Sequence, residues 1–311
     1  ICGEAPLQKV ATGAGPSWRV LLGTTGAWDN SPVSQSIGFL YDSARLDLLF
    51  AEELLALPRE AEGTPIFHRI PVTACFRDKQ TGFDFRLVTV HLKAGQKAPD
   101  LKKRELEATL LKGWLDKLLQ DPGEDQDIAV LGDFNSTYGD ARQTILEKDH
   151  KLHYLAPKQP TPTIMHFPEP IDQVVPANGF DELRGDSFTV GGGLDGMKPE
   201  EWRKIYSDHF PVSVSVLAKS DEDPTATFAR GDAKFALPKT AKGGAANQAP
   251  AAAGEWPFRA GRKVTVVTEK LYLDGMLVRD VSEAGTGWIV LDVSGQQIYV
   301  HCAQVQKLIA N

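Results

Sequence analysis

"IAVLGDFNS", residues 128–136, starts as a plain buried strand and then changes character. Ile128, Ala129, Val130 and Leu131 form the short apolar run of a strand covered on both faces. Gly132 frees the backbone, and Asp133 and Asn135 follow with Phe134 between them. Alternate side chains of an extended chain share a face. The acid and the amide therefore point the same way from the strand tip, while Phe134 turns into the core. Two oxygen-bearing side chains over a sheet edge can hold a hard cation or a phosphate oxygen. An isolated D-x-N is usually only a strand followed by an Asx turn, so its meaning depends on what accompanies it.

Four other stretches accompany it. "VTVHLKAG" puts His91 at the end of a strand, before a Lys/Gly loop. "TPTIMHFPEPIDQVV" sets Asp172 just ahead of a strand. "YSDHFPVSVSV" does the same with the adjacent pair Asp208 and His209, and "FHRIPV" with Arg69. Taken singly, each has a structural reading: a strand-end histidine, a cap, a solvated arginine. Together they place acids, an amide and two histidines at strand ends, where loops expose side chains above a rigid sheet. Phosphodiester hydrolysis needs this inventory. A divalent cation neutralises phosphate charge, a base takes a proton from water, and donors hold the developing oxygens. A histidine backed by an acid is suited to that proton transfer near neutral pH.

The ordered set "HLKAG", "LGDFNS", "PIDQVV" and "SDHFPV" resembles the endonuclease/exonuclease/phosphatase superfamily, whose fold is DNase I-like, over residues 1–217. The resemblance implies an α+β chain built as a four-layer α/β sandwich with its site where the loops of two sheets converge. It assigns His209 as the base that activates water and Asp172 as the group that orients and charge-stabilises it. Asp133 and Asn135 would contact the scissile phosphate and the metal, and Asp208 would help to hold the metal. His91 would contact phosphate or protonate the leaving group, Arg69 would bind phosphate, and Gln35 in "SQSIGFLY" would orient His91. The oxygen ligands Asp133, Asn135 and Asp208 suit Mg²⁺ or Mn²⁺ rather than zinc. The family's opening strand ending in Asn and its "QE" metal ligand have no counterpart here. Ile1-Cys2-Gly3-Glu4 resembles the sequence just after that Glu, so the sandwich is expected to be N-terminally incomplete, with Glu4 a solvated acid.

Composition bounds the rest. The chain has 311 residues, a formal net charge of −7 and three cysteines, Cys2, Cys75 and Cys302, far apart. That charge gives no global pull towards nucleic acid, so a polyanion site must be local or rely on a metal. The cysteines form neither a disulfide framework nor a zinc spacing and read as buried or incidental thiols. They fix no compartment, and export remains open. No apolar stretch approaches the roughly 18 residues of a membrane span. The chain begins without methionine or a signal-peptide pattern, as a processed or truncated product would.

Apolar runs bounded by Gly, Pro, Asp and Ser mark strands at 18–23, 37–41, 46–50, 70–76, 85–92, 128–134 and 210–217. One helix is expected within residues 98–120, with a stripe of Leu101, Leu106, Leu110, Leu111, Trp114, Leu115, Leu118 and Leu119 ended by Pro122-Gly123. Gly191-Gly192-Gly193 lacks the helix and Lys-Ser/Thr of a phosphate loop and reads as a flexible loop. Residues 218–254, rich in Ala, Pro, Lys and Gly, read as a linker that proteases should cut first. Residues 255–311 alternate again, as a small all-β domain, SH3-like by fold analogy, whose partner the sequence does not identify. The function expected of the complete protein is a metal-dependent phosphodiester hydrolase, endonuclease-like with nucleic acid as substrate, while this chain, without the "QE" ligand, is expected to bind Mg²⁺ only weakly and to turn over slowly. The alternatives are a phosphatase or lipid phosphodiesterase of the same superfamily, or a catalytically silent binding module.

Overall fold

The computed structural model describes residues 4–23, 35–137, 140, 145–155, 161–165, 167, 170–191, 196–219, 221, 227 and 228, and the backbone of strands within 263–310. Cys2, Cys302, Gly192 and Gly193 lie outside this set, and the side chain of Glu4 is not described. The chain opens with helix α1 (Glu4–Ala14), followed by β1 (Trp18–Leu22), β2 (Gly38–Asp42), β3 (Leu46–Glu53) and the two-residue strands β4 (Glu60–Ala61) and β5 (Thr64–Pro65). Next come β6 (Val72–Asp78), β7 (Asp84–His91), α2 (Ala98–Leu119), β8 (Ile128–Asp133), β9 (Asp172–Pro176), β10 (Leu183–Val190), α3 (Pro199–Ile205) and β11 (Val212–Val216). The fold is mixed α/β.

Its centre is a five-stranded sheet in the order β3-β6-β7-β8-β9. β6 and β7 form a hairpin whose turn is tied by Asp78, which accepts the amides of Gln80 and Thr81 at 3.0 and 2.9 Å. β7 and β8 are parallel. A parallel pair needs a crossover, and α2 supplies it. Pro99 in its first turn, Asp100 at the N-terminal end and Lys117 at the C-terminal end suit the helix termini and dipole. Leu111, Trp114, Leu115 and Leu118 pack with Val88, Val90, Ile128, Val130 and Phe134 on one face of the sheet. The buried stripe differs from the sequence reading at its start. Leu106, Leu110 and Leu119 are only partly buried, and Arg104 and Glu107 take core positions instead.

The opposite face is covered by two separate antiparallel pairs, β1-β2 and β10-β11. Leu21, Phe39, Tyr41, Leu183 and Phe188 meet Ala51, Ala74, Phe76, Phe85 and Val174 there. Among the described residues no strand joins the two pairs, and Val212, Val214 and Val216 of β11 remain only partly buried. Beyond β1 lies α1, which buries Leu7 and Ala11. Leu7, Val10, Ala11 and Ala14 recur at helical spacing, and Pro6 is tolerated because it falls in the first turn. Cys75 is free and fully buried, and burial raises its pKa.

A buried charge closes the end of the sheet away from the tip of β8. Arg86 on β7 is inaccessible and pairs with Glu124 at 3.0 Å. Its guanidinium lies 5.3 to 5.8 Å from the ring centres of Phe50, Trp114 and Phe228. Phe228 falls within the stretch expected to be a linker. Thr227 beside it bridges Glu124, accepts from the Asp125 amide at 3.2 Å and donates its own amide to Gly123 at 3.1 Å. The chain therefore returns to this sheet after β11.

Residues 263–310 form a second five-stranded antiparallel sheet of β12 (Lys263–Thr268), β13 (Tyr272–Leu277), β14 (Trp288–Val293), β15 (Gln296–His301) and β16 (Val305–Ala310). The order is β15-β14-β13-β12-β16. Among the described residues no helix is long and apolar enough to cross a membrane.

Candidate active site

Strand register assembles the site. His91 ends β7 and stands opposite Asp133, which ends β8. Asp133 in turn stands opposite Asp172, the first residue of β9. Neighbouring strands lie about 4.8 Å apart, so these three side chains form a row along one end of the sheet. His209 reaches the row from the loop before β11. It pairs with Ile164 in an isolated bridge, its amide donates to Ser207 Oγ at 3.1 Å, and its carbonyl accepts from Trp202 Nε1 at 2.8 Å. Buried Thr163 fastens both arms. Its hydroxyl accepts the amides of Ile171 and Asp172, and its carbonyl accepts the amide of Phe210.

The resulting order is His91, Asp133, His209, Asp172. His91 Nε2 lies 3.2 Å and His209 Nε2 3.9 Å from Asp133 Oδ2, and His209 Nδ1 lies 2.8 Å from Asp172 Oδ2. A turn, not strand alternation, relates Asp133 and Asn135. β8 ends at Asp133, and Asn135 sits at φ +51°. The Asn135 amide donates to Asp133 Oδ1 at 2.8 Å, an Asx turn, and Nδ2 donates to Asp133 Oδ2 at 3.1 Å and to the Leu92 carbonyl at 3.0 Å. Both of those partners are acceptors only, so the amide is oriented with Oδ1 on its other side. As placed, Asn135 offers an oxygen, which suits a cation or a water proton. Phe134 is buried under α2, edge-on to Tyr154.

Arg69 lies across the end of β7. Its Nε donates to the His91 carbonyl at 3.1 Å and Nη2 to the Leu92 carbonyl at 3.2 Å. Gln35 meets Arg69 rather than His91, its Oε1 accepting from Nη1 at 3.0 Å. These contacts hold the guanidinium at the end of the row, beside His91. Asp208 is exposed and stands outside the cluster of Asp133, Asp172 and His209, whose ligand atoms lie within 4.8 Å of one another.

Charge states follow from these contacts. The hydrogen bond to Asp172 comes first among the causes that raise His209 to about 9, with the charges of Asp172, Asp133 and Asp208 adding to it. Burial, then the Asp172 charge, pushes Asp133 up to about 6. Burial, with Arg69 and His209 nearby, lowers His91 to about 3. His91 is therefore neutral near pH 7 and carries no spare proton for a leaving group in the free protein. Two carboxylates crowded against each other, one of them held up in pKa, form a donor set that fits a hard divalent cation.

The His209–Asp172 pair has a stability signature. A raised folded-state pKa gives stabilisation that is complete below the ordinary value of 6.5 and lost as pH climbs through about 9. In EDTA, the wild type's advantage over Asp172→Asn is expected to be largest near pH 6.5 and to shrink towards pH 9, read from urea denaturation at each pH. Parallel stability curves for the two proteins would show that the pair does not hold the proton.

No protein-family model and no curated protein sequence matches the chain. The structure is similar to several solved structures, among them proteins of the endonuclease/exonuclease/phosphatase family. One, from Bacteroides vulgatus, is 16% identical, with 68% of this chain and 81% of that chain covered and a TM-score of 0.46. The mannosyl-6-phosphatase of Bacteroides thetaiotaomicron is 17% identical, with 68% and 80% covered and a TM-score of 0.44. The catalytic domain of human Nocturnin is 14% identical, with 68% and 76% covered and a TM-score of 0.45. At these identities and TM-scores the likeness assigns no chemistry to this chain.

Proposed function

We propose that this chain is a metal-dependent phosphoester hydrolase of the endonuclease/exonuclease/phosphatase type, acting on phosphodiesters, with nucleic acid as the substrate class. One observation carries the reading: His209, backed by Asp172 at 2.8 Å, presents Nε2 at 3.9 Å from Asp133 at the mouth of the row. In that arrangement His209 takes the proton from water, and Asp172 fixes the imidazole and bears its positive charge. Asp133, Asn135 Oδ1 and one oxygen of Asp172 are the groups that would hold Mg²⁺ or Mn²⁺. Such a cation would neutralise phosphate charge and offset the carboxylate charge, that of Asp172 first and Asp133 after it, that keeps His209 protonated. Arg69 would bring positive charge to a phosphate held at the row, with His91 beside it.

The C-terminal sheet is read as SH3-like, a binding unit. Support comes from its connectivity, in which β12 pairs with both the next strand and the last. The test of the catalytic reading is hydrolysis of bis(p-nitrophenyl) phosphate and of single-stranded DNA and RNA by the full chain, in millimolar Mg²⁺ and in EDTA. Cation-dependent cleavage that requires Asp133 supports the reading. Absence of cleavage of every diester, with release of phosphate from monoesters, would replace it with a phosphatase.

A further inference from the structure

Helix α2 reaches into the loops of the site through two polar side chains one turn apart. Glu107 is 1% exposed, yet both of its carboxylate oxygens are engaged by backbone. Oε1 accepts the Phe67 amide at 2.8 Å and Oε2 accepts the Lys93 amide at 2.7 Å. Arg104 donates Nη1 to the carbonyls of Lys93 and Gly95 at 2.6 and 3.0 Å. Phe67 is held at φ +49°, an unusual conformation for an aromatic residue and one that persists only where surroundings impose it. These contacts close a ring. Glu107 grips residue 67, two before Arg69, and residue 93, two after His91. Arg69 completes the circuit by donating to the carbonyls of His91 and Leu92, and Leu92 also receives Asn135.

We propose that Glu107 is a positioning residue of this site: its buried carboxylate sets the spacing between the loop bearing Arg69 and the loop bearing His91, and through the Leu92 carbonyl it fixes the orientation of Asn135. A buried carboxylate is costly unless it is well satisfied. This one is satisfied by the backbone of both loops. Asp would be one methylene too short to span both amides. Gln has the right length but one acceptor, so it must turn an N–H towards one of the two backbone N–H groups.

The kinetic part of this inference rests on the phosphodiesterase reading, and the structural part does not. The experiment therefore has two arms, both on the full chain carrying Glu107→Gln. Amide hydrogen exchange resolved at Phe67 and Lys93 is expected to speed up about tenfold or more at one or both, the scale set by one lost charge-assisted hydrogen bond. Val88 and Val130 in the sheet should keep their protection. Turnover of bis(p-nitrophenyl) phosphate, measured well below the unfolding midpoint, is expected to fall about 10-fold to 100-fold. Combined with Arg69→Ala, the double variant should lose clearly less than the product of the two single losses, because part of the effect of Glu107 runs through the loop that carries Arg69. A merely structural role gives multiplied losses in that cycle and overturns the proposal, as does unchanged exchange at both amides. If the wild type cleaves no diester, the catalytic reading falls while the exchange arm still decides whether Glu107 clamps the two loops.

Discussion

His209→Ala is expected to lower Mg²⁺-dependent phosphodiester turnover by about 10²–10⁴, the range for loss of a general base. The geometry gives the reason. His209 is the group in the row that can accept a proton, be oriented from behind by Asp172 at 2.8 Å, and face Asp133 at 3.9 Å. His91 cannot replace it, since burial keeps its imidazole a weak base and its Nε2 faces the Asp133 carboxylate at 3.2 Å. The variant should fold, because His209 is half-buried and its backbone anchors, the Thr163 carbonyl to Phe210 and Ser207 Oγ to its own amide, do not involve the imidazole. Steady-state kinetics on the purified variant, with circular dichroism as a fold check, give the answer. Turnover within threefold of the wild type would remove His209 from the mechanism.

Gly132→Ala is expected to be the most damaging methyl group that can be added near the site. Gly132 sits at φ +136°, and a Cβ there would lie 2.1 Å from the Val90 carbonyl oxygen on the parallel neighbour. The obstacle is backbone in a paired strand, so it cannot rotate aside, and the conformation itself disfavours a side chain. The expected cost exceeds about 3 kcal/mol, a fall in midpoint of roughly 6–12 °C for a domain of this size. Activity should fall with it, since Asp133 is the next residue. Gly113→Ala is the control. Its Cβ would meet nothing within 4 Å inside α2, and alanine there should stabilise by about 0.5–1 kcal/mol. Thermal unfolding of both variants checks the pair, and equal midpoints would mean that β7 and β8 can part at Gly132 without penalty.

Gly132 also shows why the fold was legible where it was. A four-residue apolar run, a glycine and an acid describe a strand that ends in chemistry, and β8 with its partner β7 follow that description. The site motifs were legible because each lies within a residue or two of a strand end, so local pattern alone puts His91, Asp133, Asp172 and His209 at one rim. Their order along the rim was not legible. It depends on the register that sets Asp133 between His91 and Asp172, across strands whose pairing no local pattern encodes. The charge of His91 was hidden for the same reason, since burial and the nearness of Arg69 are properties of the assembled sheet.

Thr163, Arg104 and Glu107 were missed because they act on backbone groups well removed in sequence. Glu107 did leave a trace: a charged residue four positions before Leu111, on the apolar stripe of α2. Helix α1 left a fainter one. Leu7, Val10, Ala11 and Ala14 do recur at helical spacing, but Pro6, Thr12 and Gly13 lower the helix propensity, and burial of Leu7 and Ala11 overrides their preference.

Thr227 and Phe228 bear on how the molecule faces its surroundings. The β-bridge at Glu124 fastens the departing chain beneath the start of β8, and the six residues of that strand put the row of His91, Asp133 and Asp172 roughly 20 Å away, at the opposite pole. Whatever follows Phe228 leaves from the side turned away from His209. A label or fusion joined beside Phe228 would therefore stand on the far side from His209 and leave the rim of the row open to an approaching molecule.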